Sequence, residues 1–253
     1  MDFTQLHHQN SPLLIANVWD VSSARAAQQA GYRALGTSSA AIAAMLGYED
    51  GEFIPFDELL YIVSRIKSAG SLPLTVDIEA GYGQTASEIV DNIKRLIQTG
   101  VVGINIEDSL VAEGVRQLIS PALFATRLQD IRSHLMRENL SVFINVRTDT
   151  YLLNHPQPLQ ETLLRGQLYQ QAGADGLFVP CLTAENEMAV LSREIILPLN
   201  VMCMPDLPRF DVLWKVGVKR ISMGNFVHGA LQSKLEEMLQ SIGSQQSFSG
   251  VFH

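Results

Sequence analysis

The segment V-D-I-E-A-G-Y-G, residues 76–83, places two carboxylates two positions apart at the end of an apolar run. Side chains two positions apart on a strand point to the same side, so Asp77 and Glu79 are expected to face one centre. Clustered carboxylates repel one another unless a cation lies between them, and oxygen-only ligands suit Mg²⁺ or Mn²⁺. Taken alone, an acidic pair after a strand is more often a turn and helix N-cap signal, and it indicates a divalent metal site only if the fold brings further acids to the same centre.

Other short apolar runs also end in polar residues that could take part in chemistry. They are Asn17 and Asp20, Ser38 and Ser39, Glu107 and Asp108, and Arg147 and Asp149. Such residues can act together only if the fold brings the ends of these runs to one place. The elements that carry them therefore decide the interpretation.

Short β-branched or apolar runs alternate along the chain with longer segments that have apolar residues at three- and four-residue spacing. The predicted strands are Leu13–Asn17, Ala34–Ser38, Leu72–Asp77, Val101–Ile106, Ser141–Val146, Gly176–Val179, Leu199–Cys203 and Lys219–Ser222. The predicted helices are Ser22–Ala30, Phe56–Ala69, Ala86–Thr99, Pro121–Glu138, Leu159–Ala172, Ala184–Arg193, Arg209–Val216 and Val227–Ile242.

Eight such βα units predict the α/β class and a single-domain (β/α)8 TIM-type barrel over residues 1–242, followed by a polar tail over 243–253. The βα loops at the C-terminal ends of barrel strands converge on one mouth, where the chemistry of these barrels takes place. In this fold Glu107 approaches the centre of Asp77 and Glu79 from the adjacent strand, and Arg147 follows the next strand. Tyr82 lies between two glycines and is expected to line the same pocket, or to be an ordinary turn residue.

Composition narrows the classes of function. The 253 residues are 47% hydrophobic and 17% charged, with a formal net charge of -8. An acidic chain offers no broad basic surface, which disfavours nucleic acid and anionic membranes as partners, and no apolar run approaches the roughly 18 residues of a membrane span. A cytoplasmic enzyme acting on a small molecule is the expectation. Cys181 and Cys203 lack the spacing of a zinc or redox motif and are expected to be unreactive thiols.

Several motifs in order resemble the isocitrate lyase/phosphoenolpyruvate mutase superfamily over nearly the whole chain. They are N-V-W-D-V-S-S-A-R near the start, G-T-S-S-A-A-I-A-A-M-L-G-Y-E-D at 36–50, V-D-I-E-A-G-Y-G, G-I-N-I-E-D-S at 103–109, N-V-R-T-D at 145–149 and G-A-D-G-L-F-V-P at 173–180. Their order and spacing make the match specific.

The resemblance implies a Mg²⁺ (or Mn²⁺) site and a small 2-oxo acid or related carboxylate as substrate. It assigns Asp50, Asp77, Glu79 and Glu107 to the metal, several of them through water, and Ser38, Ser39 and Ala40 to the substrate carboxylate. It assigns Arg147 to the substrate's oxygens. Arg147, Asp50 and Glu107 are thereby the candidate catalytic residues, and Asp77 and Tyr82 are candidates for contact with substrate.

The expected activity is cleavage of a C–C bond, by lyase or decarboxylase chemistry, in a small 2-oxo or 2-hydroxy acid through a metal-stabilised enolate. The loop after the fourth strand lacks the cysteine of isocitrate and methylisocitrate lyases and offers only Arg116 where phosphonopyruvate enzymes have lysine and asparagine. Glu79 also stands where many members have Asp. A P–C mutase or hydrolase acting on a phosphonopyruvate-like substrate is the alternative.

Two further expectations concern binding. A barrel with an incomplete loop could act as a metal-dependent carboxylate-binding protein without turnover, although the retained acids and Arg147 favour catalysis. In the helix Val227–Ile242, an apolar stripe of Leu231, Leu235, Met238 and Leu239 could simply cover its own barrel. The resemblance instead implies that terminal helices pack between subunits, which predicts a homodimer or homotetramer.

Overall fold

The computed structural model describes residues 2–252, in which parallel strands alternate with helices. The strands are β1 (Leu13–Leu14), β2 (Ala16–Val18), β3 (Leu35–Thr37), β4 (Leu74–Asp77), β5 (Gly103–Glu107), β6 (Ser109–Ala112), β7 (Val115–Leu118), β8 (Phe143–Arg147), β9 (Gly176–Phe178), β10 (Leu199–Met202) and β11 (Arg220–Ser222). All except β6 and β7 belong to one parallel sheet.

The sheet closes on itself through its first strand. Leu13 and Leu14 of β1 pair with β11, whereas Ala16 of β2 pairs with Leu35 of β3. The two segments are one short run interrupted at Ile15, so this run joins the two edges of the sheet. The predicted single-domain (β/α)8 barrel is confirmed.

Helices follow the strands in the predicted order. They are α1 (Val21–Gln29), α2 (Ser39–Leu46), α3 (Phe56–Ser68), α4 (Ala86–Gln98), α5 (Pro121–Arg137), α6 (Pro158–Gln171), α7 (Glu185–Glu194), α8 (Phe210–Lys215) and α9 (Phe226–Gln245). Two of them begin with capping boxes, Asp20 with Ser23 in α1 and Thr85 with Glu88 in α4, which satisfy backbone N–H groups at the helix start.

Two elements differ from the sequence prediction. Helix α2 was not predicted, because S-A-A-I-A-A-M-L is apolar on nearly every face and has no amphipathic period. The segment after β5, which is the fourth predicted strand, is predicted as a loop but forms the antiparallel hairpin β6–β7. Its strands have only four residues each, too short for a clear alternation of apolar and polar residues.

The N-terminal segment packs against the barrel from a 3₁₀ helix, Thr4–His8. The imidazole of His7 stacks on the Phe143 ring with centroids 4.2 Å apart, and the Phe3 ring meets both edge-on. Burial, with the nearby positive charge of Arg220, lowers the pKa of His7 to about 3. His7 is therefore neutral, and its Nδ1 donates a hydrogen bond to Phe3 O at 3.1 Å.

Helix α9 is almost entirely exposed. His228 is its one buried residue, and the stripe of Leu231, Leu235, Met238 and Leu239 is 37–59% exposed. Within a single chain this stripe therefore does not cover the barrel to which the helix belongs.

Between residues 2 and 252, none of the helices has the length and apolar character that a membrane span requires.

Candidate active site

Three predicted site residues are the last residues of neighbouring strands. Asp77 ends β4, Glu107 ends β5 and Arg147 ends β8, and the sheet order places these strands side by side. Glu107 and Arg147 are direct register partners across β5 and β8. The period of two along each strand turns these side chains toward the barrel axis, so the fold brings them to one mouth as the sequence indicated.

Arg147 is held between two buried carboxylates. Its Nη1 lies 3.2 Å from Glu107 Oε2, and its Nε and Nη2 donate to Asp149 Oδ1 and Oδ2 at 2.6 and 3.2 Å. The two bonds to Asp149 form a bidentate pair, which fixes the plane of the guanidinium. The negative charges of Glu107 and Asp149 raise the pKa of Arg147 against the opposing effect of its burial, so Arg147 is a permanent cation.

Asp77 is bound from two neighbouring elements. Ser39 Oγ donates to its Oδ2 at 2.9 Å, and its backbone N–H donates to Thr37 Oγ1 at 2.9 Å. Burial raises the pKa of the Asp77 carboxyl, while the charge of Arg147 opposes that rise.

Glu79 has an unusual backbone conformation at the site. Its φ is +51°, a left-handed value that is uncommon in residues other than glycine and that clusters at functional sites. Its carbonyl accepts a hydrogen bond from Glu107 N at 2.8 Å, which ties the loop after β4 to β5. Burial, reinforced by the negative charges of Asp50 and Glu107, raises the pKa of Glu79 well above its usual value.

Glu107 shows the same effect. Burial raises its pKa to about 7 despite the nearby charge of Arg147. Its Oε2 is buried and, among residues 2–252, has no hydrogen bond of acceptable geometry. Asp50 differs from these acids because it lies on the rim with 45% of its side chain exposed.

Arg116, on β7 of the hairpin, lies among these acids. It pairs with Glu107 and lies within 3.4–3.6 Å of Asp50, Glu79 and Asp149. From the sequence Arg116 is expected only as a loop residue, because no local pattern indicates that a hairpin brings it into contact with carboxylates far away in the sequence. Ser109 was also missed as a member of the site; its Oγ donates to Asp149 Oδ2 at 2.5 Å, and its position two residues after Glu107 was the available signal.

Asp108 does not belong to the mouth. Adjacent strand residues point to opposite faces, and the Asp108 carboxylate is turned outward to accept hydrogen bonds from Thr148, Arg165 and Tyr169 at 2.7–2.9 Å. This buried network connects β5 and β8 to α6. The structure therefore assigns Asp108 a role in joining sheet and helix, rather than in the chemistry.

Ser38, Ser39 and Ala40 lie at the start of α2. Ser38 is the N-cap, and its Oγ accepts a hydrogen bond from Ala41 N at 3.3 Å. The first backbone N–H groups of a helix have no partner within the helix, and they favour an anionic ligand. Ser39 Oγ donates to Asp77, whereas Ser38 Oγ only accepts from Ala41 N and keeps its own proton. The Ser38 hydroxyl and the backbone amides of Ser39 and Ala40 are therefore the candidate donors to a carboxylate.

Tyr82 also has a left-handed backbone, with φ of +56°. Its N–H donates to Glu52 Oε1 at 2.7 Å, and its ring packs against Phe56 with centroids 5.5 Å apart. Its hydroxyl is buried without a hydrogen-bond partner in the described part of the chain. Burial raises the pKa of Tyr82 and keeps it protonated, so the hydroxyl can act as a donor.

The acids suit a divalent cation in type and charge. No three His, Cys, Asp or Glu side chains in residues 2–252 are arranged to hold a metal ion by themselves. Burial raises the pKa values of Asp77, Glu79 and Glu107 although Arg147 and Arg116 oppose the rise, and a further cation among these acids would favour their charged forms. This donor set fits Mg²⁺ or Mn²⁺, which take few direct protein ligands and keep several waters.

Known proteins resemble this chain over almost its whole length. An uncharacterised protein of Mycobacterium tuberculosis is 36% identical over 91% of this chain and 84% of its own. The oxaloacetate decarboxylase of Pseudomonas savastanoi pv. phaseolicola is 29% identical over 98% and 88%. A crystal structure from Burkholderia cenocepacia, described only provisionally as a phosphonomutase, is 36% identical and superposes with a TM-score of 0.88 over 94% of this chain and 97% of that one.

The family model for phosphoenolpyruvate phosphomutase matches residues 3–243, nearly the complete barrel. Named relatives in this group are lyases, decarboxylases and mutases. The chain is therefore a member of the phosphoenolpyruvate phosphomutase family, within the isocitrate lyase/phosphoenolpyruvate mutase superfamily.

Proposed function

We propose that this protein is a Mg²⁺- or Mn²⁺-dependent lyase that cleaves a C–C bond of a small 2-oxo or 2-hydroxy acid through an enolate. The observation that carries the proposal is the arrangement of Arg147, Glu107 and Asp77, buried or partly buried, at the ends of three neighbouring strands. The similarity to an oxaloacetate decarboxylase over 98% of this chain supports C–C chemistry.

The substrate's carboxylate is expected at the start of α2. The backbone N–H groups of Ser39 and Ala40 lie in the first turn of that helix, where unpaired amides and the helix dipole favour an anion. Ser39 also connects this turn to Asp77 by its hydrogen bond. The carboxylate would therefore be oriented next to the acids that hold the cation.

Arg147 is placed to stabilise the charge that develops in the reaction. For a 2-oxo acid with a carboxyl group on C3, CO₂ leaves, the electron pair of the broken bond remains on C3 as an enolate, and C3 then takes a proton. Charge thus accumulates on the keto oxygen, where a fixed cation stabilises the transition state more than the ground state. A divalent cation, when bound through Asp77, Glu79, Glu107 or Asp50, supplies further positive charge there.

The other site residues support this arrangement. Glu107 and Asp149 hold the guanidinium of Arg147 in one orientation, and the buried Tyr82 hydroxyl is an unused donor in the same loop region. A fixed guanidinium needs no reorganisation when the oxygen becomes negative, and this is the main source of its catalytic effect.

Cleavage or rearrangement of a P–C bond is the second candidate. The matching family model is named for phosphoenolpyruvate phosphomutase, and the Burkholderia structure carries a similar provisional description. The Arg147 arrangement serves an enolate of either origin, so the substituent on C3 distinguishes the two reactions.

A substrate panel followed by mass spectrometry tests the proposal. The protein is incubated with oxaloacetate, methylisocitrate, citramalate or phosphonopyruvate, with Mg²⁺ or with excess EDTA. We expect one of the C–C substrates to yield product in the presence of Mg²⁺ and not in EDTA, and Arg147→Gln to abolish that turnover. Product from phosphonopyruvate alone would favour the P–C reaction, and saturable binding without any product would indicate a carboxylate-binding protein.

We further propose that the protein forms a homodimer or homotetramer in which α9 covers a second copy. The exposed stripe of Leu231, Leu235, Met238 and Leu239 lies on one helix, and burying apolar area of this kind drives association.

We also propose that the protein is located in the cytoplasm, because Cys181 and Cys203 are free thiols and thiols stay reduced in that compartment.

A further inference from the structure

The hairpin β6–β7 fixes Arg116 over the mouth of the barrel. Arg116 is the register partner of Val111, and the two turn residues, Glu113 and Gly114, have φ values of +52° and +76°. Positive φ at both central positions is the signature of a tight two-residue hairpin turn. The position of Arg116 is therefore set by a short hairpin with a tight turn.

The guanidinium of Arg116 contacts carboxylates from four separate segments of the chain. Its Nη2 lies 3.4 Å from Asp50 Oδ2 and 3.6 Å from Glu79 Oε2. Its Nη1 pairs with Glu107 Oε1 and lies 3.6 Å from Asp149 Oδ2. One positive charge is thus shared by four negative groups, and only 14% of the Arg116 side chain is exposed.

Three of these acids, Glu79, Glu107 and Asp50, are also assigned to the metal in the proposed function, and Glu79 and Glu107 are the buried ones among them. A carboxylate oxygen that accepts an N–H of Arg116 has that lone pair directed at the guanidinium, and a divalent ion needs the same lone pairs. The two cations also repel each other at close range, which is costly in a poorly solvated site. Arg116 and the metal therefore compete for one set of oxygens.

The fourth partner gives Arg116 an alternative position. Asp50 is 45% exposed on the rim, whereas Glu79 and Glu107 are 4% and 3% exposed. A guanidinium that leaves the two buried acids can keep its ion pair with Oδ2 of Asp50 in water, and the second oxygen of that carboxylate remains available to the ion or to one of its waters. The cost of release is then lower than it would be for a completely buried arginine, whose charge would lose all its partners.

We propose that Arg116 is an exchangeable counter-cation of the acidic site. In the metal-free protein it neutralises Glu79 and Glu107, and binding of the divalent ion displaces it toward Asp50. Metal affinity is thereby reduced by the free energy of the Arg116 contacts that must be broken. This inference rests on the metal site of the proposed function and adds a residue that opposes metal binding.

Mn²⁺ binding in the absence of any substrate tests the inference. Isothermal titration calorimetry and the electron paramagnetic resonance signal of free Mn²⁺ are recorded for the wild-type protein and Arg116→Gln. Arg127→Gln is the control, because Arg127 lines the same cleft beside Glu52 and Glu79 without an ion pair to the four acids. We expect at least about tenfold tighter Mn²⁺ binding by Arg116→Gln than by the wild type or the control, equivalent to about 1.4 kcal/mol.

Thermal unfolding supplies an independent measurement. Without metal, Arg116→Gln leaves the acids uncompensated, so its melting temperature should fall below that of the wild type, and Mn²⁺ should raise it by more than it raises the wild-type value. Arg116→Lys keeps the charge but cannot contact four carboxylates at once, and its affinity should lie between the other two. That variant also carries the test if Arg116→Gln fails to fold.

Four results would overturn the inference. Equal Mn²⁺ affinity in Arg116→Gln and the wild type would show that no exchange occurs. An equal gain in Mn²⁺ affinity in Arg127→Gln would show that the effect comes from the overall charge of the cleft and not from the Arg116 contacts. Weaker binding by Arg116→Gln would show that Arg116 organises the ligands instead of opposing the ion. Absence of Mn²⁺ binding in every variant would remove the metal site of the proposed function together with this inference.

Discussion

Ser39 Oγ donates a 2.9 Å hydrogen bond to Asp77 Oδ2, across 38 residues of sequence. The bond joins the first turn of α2 to the last residue of β4. It therefore links the two parts of the candidate site, the helix start suited to the substrate carboxylate and the acid suited to the cation. The bond thereby fixes the distance between the start of α2 and the Asp77 carboxylate.

Replacement of Ser39 by Ala is predicted to reduce kcat/KM without unfolding the protein. Hydrogen bonds to charged groups contribute about 1.5–3 kcal/mol, which corresponds to a decrease of about ten- to hundredfold if the bond acts mainly in the transition state. Ser64→Ala is the matched control, because Ser64 lies on α3 and its Oγ donates to the backbone carbonyl of Tyr61 instead of to a carboxylate of the site. Steady-state kinetics within twofold of wild type for Ser39→Ala would contradict the role given to this bond.

The site residues that could be predicted from the sequence are those that lie at the ends of barrel strands. The strand ends at Asp77, Glu107 and Arg147 could be located because each follows a short apolar run, and strand periodicity then directs their side chains inward. The same rule separates Ser109, which faces the site, from Asp108, which faces α6. The local sequence pattern was sufficient to predict the direction of a side chain wherever that side chain lies on, or directly after, a barrel strand.

Other parts of the site depend on contacts between distant segments. Arg116 meets Asp50 across 66 residues, and no local pattern indicates that pair. Helix α2 has no amphipathic period to identify it. The apolar stripe of α9 was visible in the sequence, but periodicity shows that a face is apolar without showing what covers it.

The exposed stripe on α9 predicts an oligomer in solution. Light scattering should give at least twice the chain mass of 27.9 kDa at micromolar concentration. Replacing both Leu235 and Leu239 by Lys should yield monomers, because charged groups cannot be buried in an apolar contact without a partner. Ser233→Lys, on the same helix but outside the stripe, should remain associated. A wild-type particle of single-chain mass would contradict the prediction.

Stability is predicted to depend on His7 at mildly acidic pH. Its pKa is lowered to about 3 in the folded protein from 6.5 in an unfolded chain, so between these values only the unfolded state binds this proton. The free energy of unfolding should therefore decrease as pH falls below 6.5, by about 1.4 kcal/mol per pH unit from this residue, or about 2 kcal/mol at pH 5.

Denaturant titrations at pH 7.5, 6 and 5 measure this contribution. The His7→Phe variant has no imidazole, so its free energy of unfolding should fall less between pH 7.5 and 5 than that of the wild type. This difference in slope is expected even if the variant is less stable at pH 7.5 because it lacks the hydrogen bond to Phe3 O. Parallel curves for the two proteins would show that His7 is not buried neutral.

The cysteines are predicted to take no part in the reaction as nucleophiles. Burial raises the pKa of the Cys181 thiol, which reduces the thiolate needed for nucleophilic attack. The double variant with Ser at positions 181 and 203 should keep kcat within about a hundredfold of wild type, a barrier change below about 2.7 kcal/mol. A larger loss in pre-steady-state and steady-state assays would indicate covalent chemistry.

Asp77→Asn tests the central claim most directly, with thermal midpoint and kcat measured on one preparation. The change is nearly isosteric but removes a negative charge and exchanges part of the acceptor capacity for a donor. If Asp77 holds the cation that stabilises the enolate, the midpoint should stay unchanged while kcat falls by at least about 10²–10³, the effect of losing one oxyanion donor. Excess Mn²⁺ should restore part of that loss. A lowered midpoint with normal turnover would instead identify Asp77 as a structural turn residue and contradict the metal-dependent mechanism.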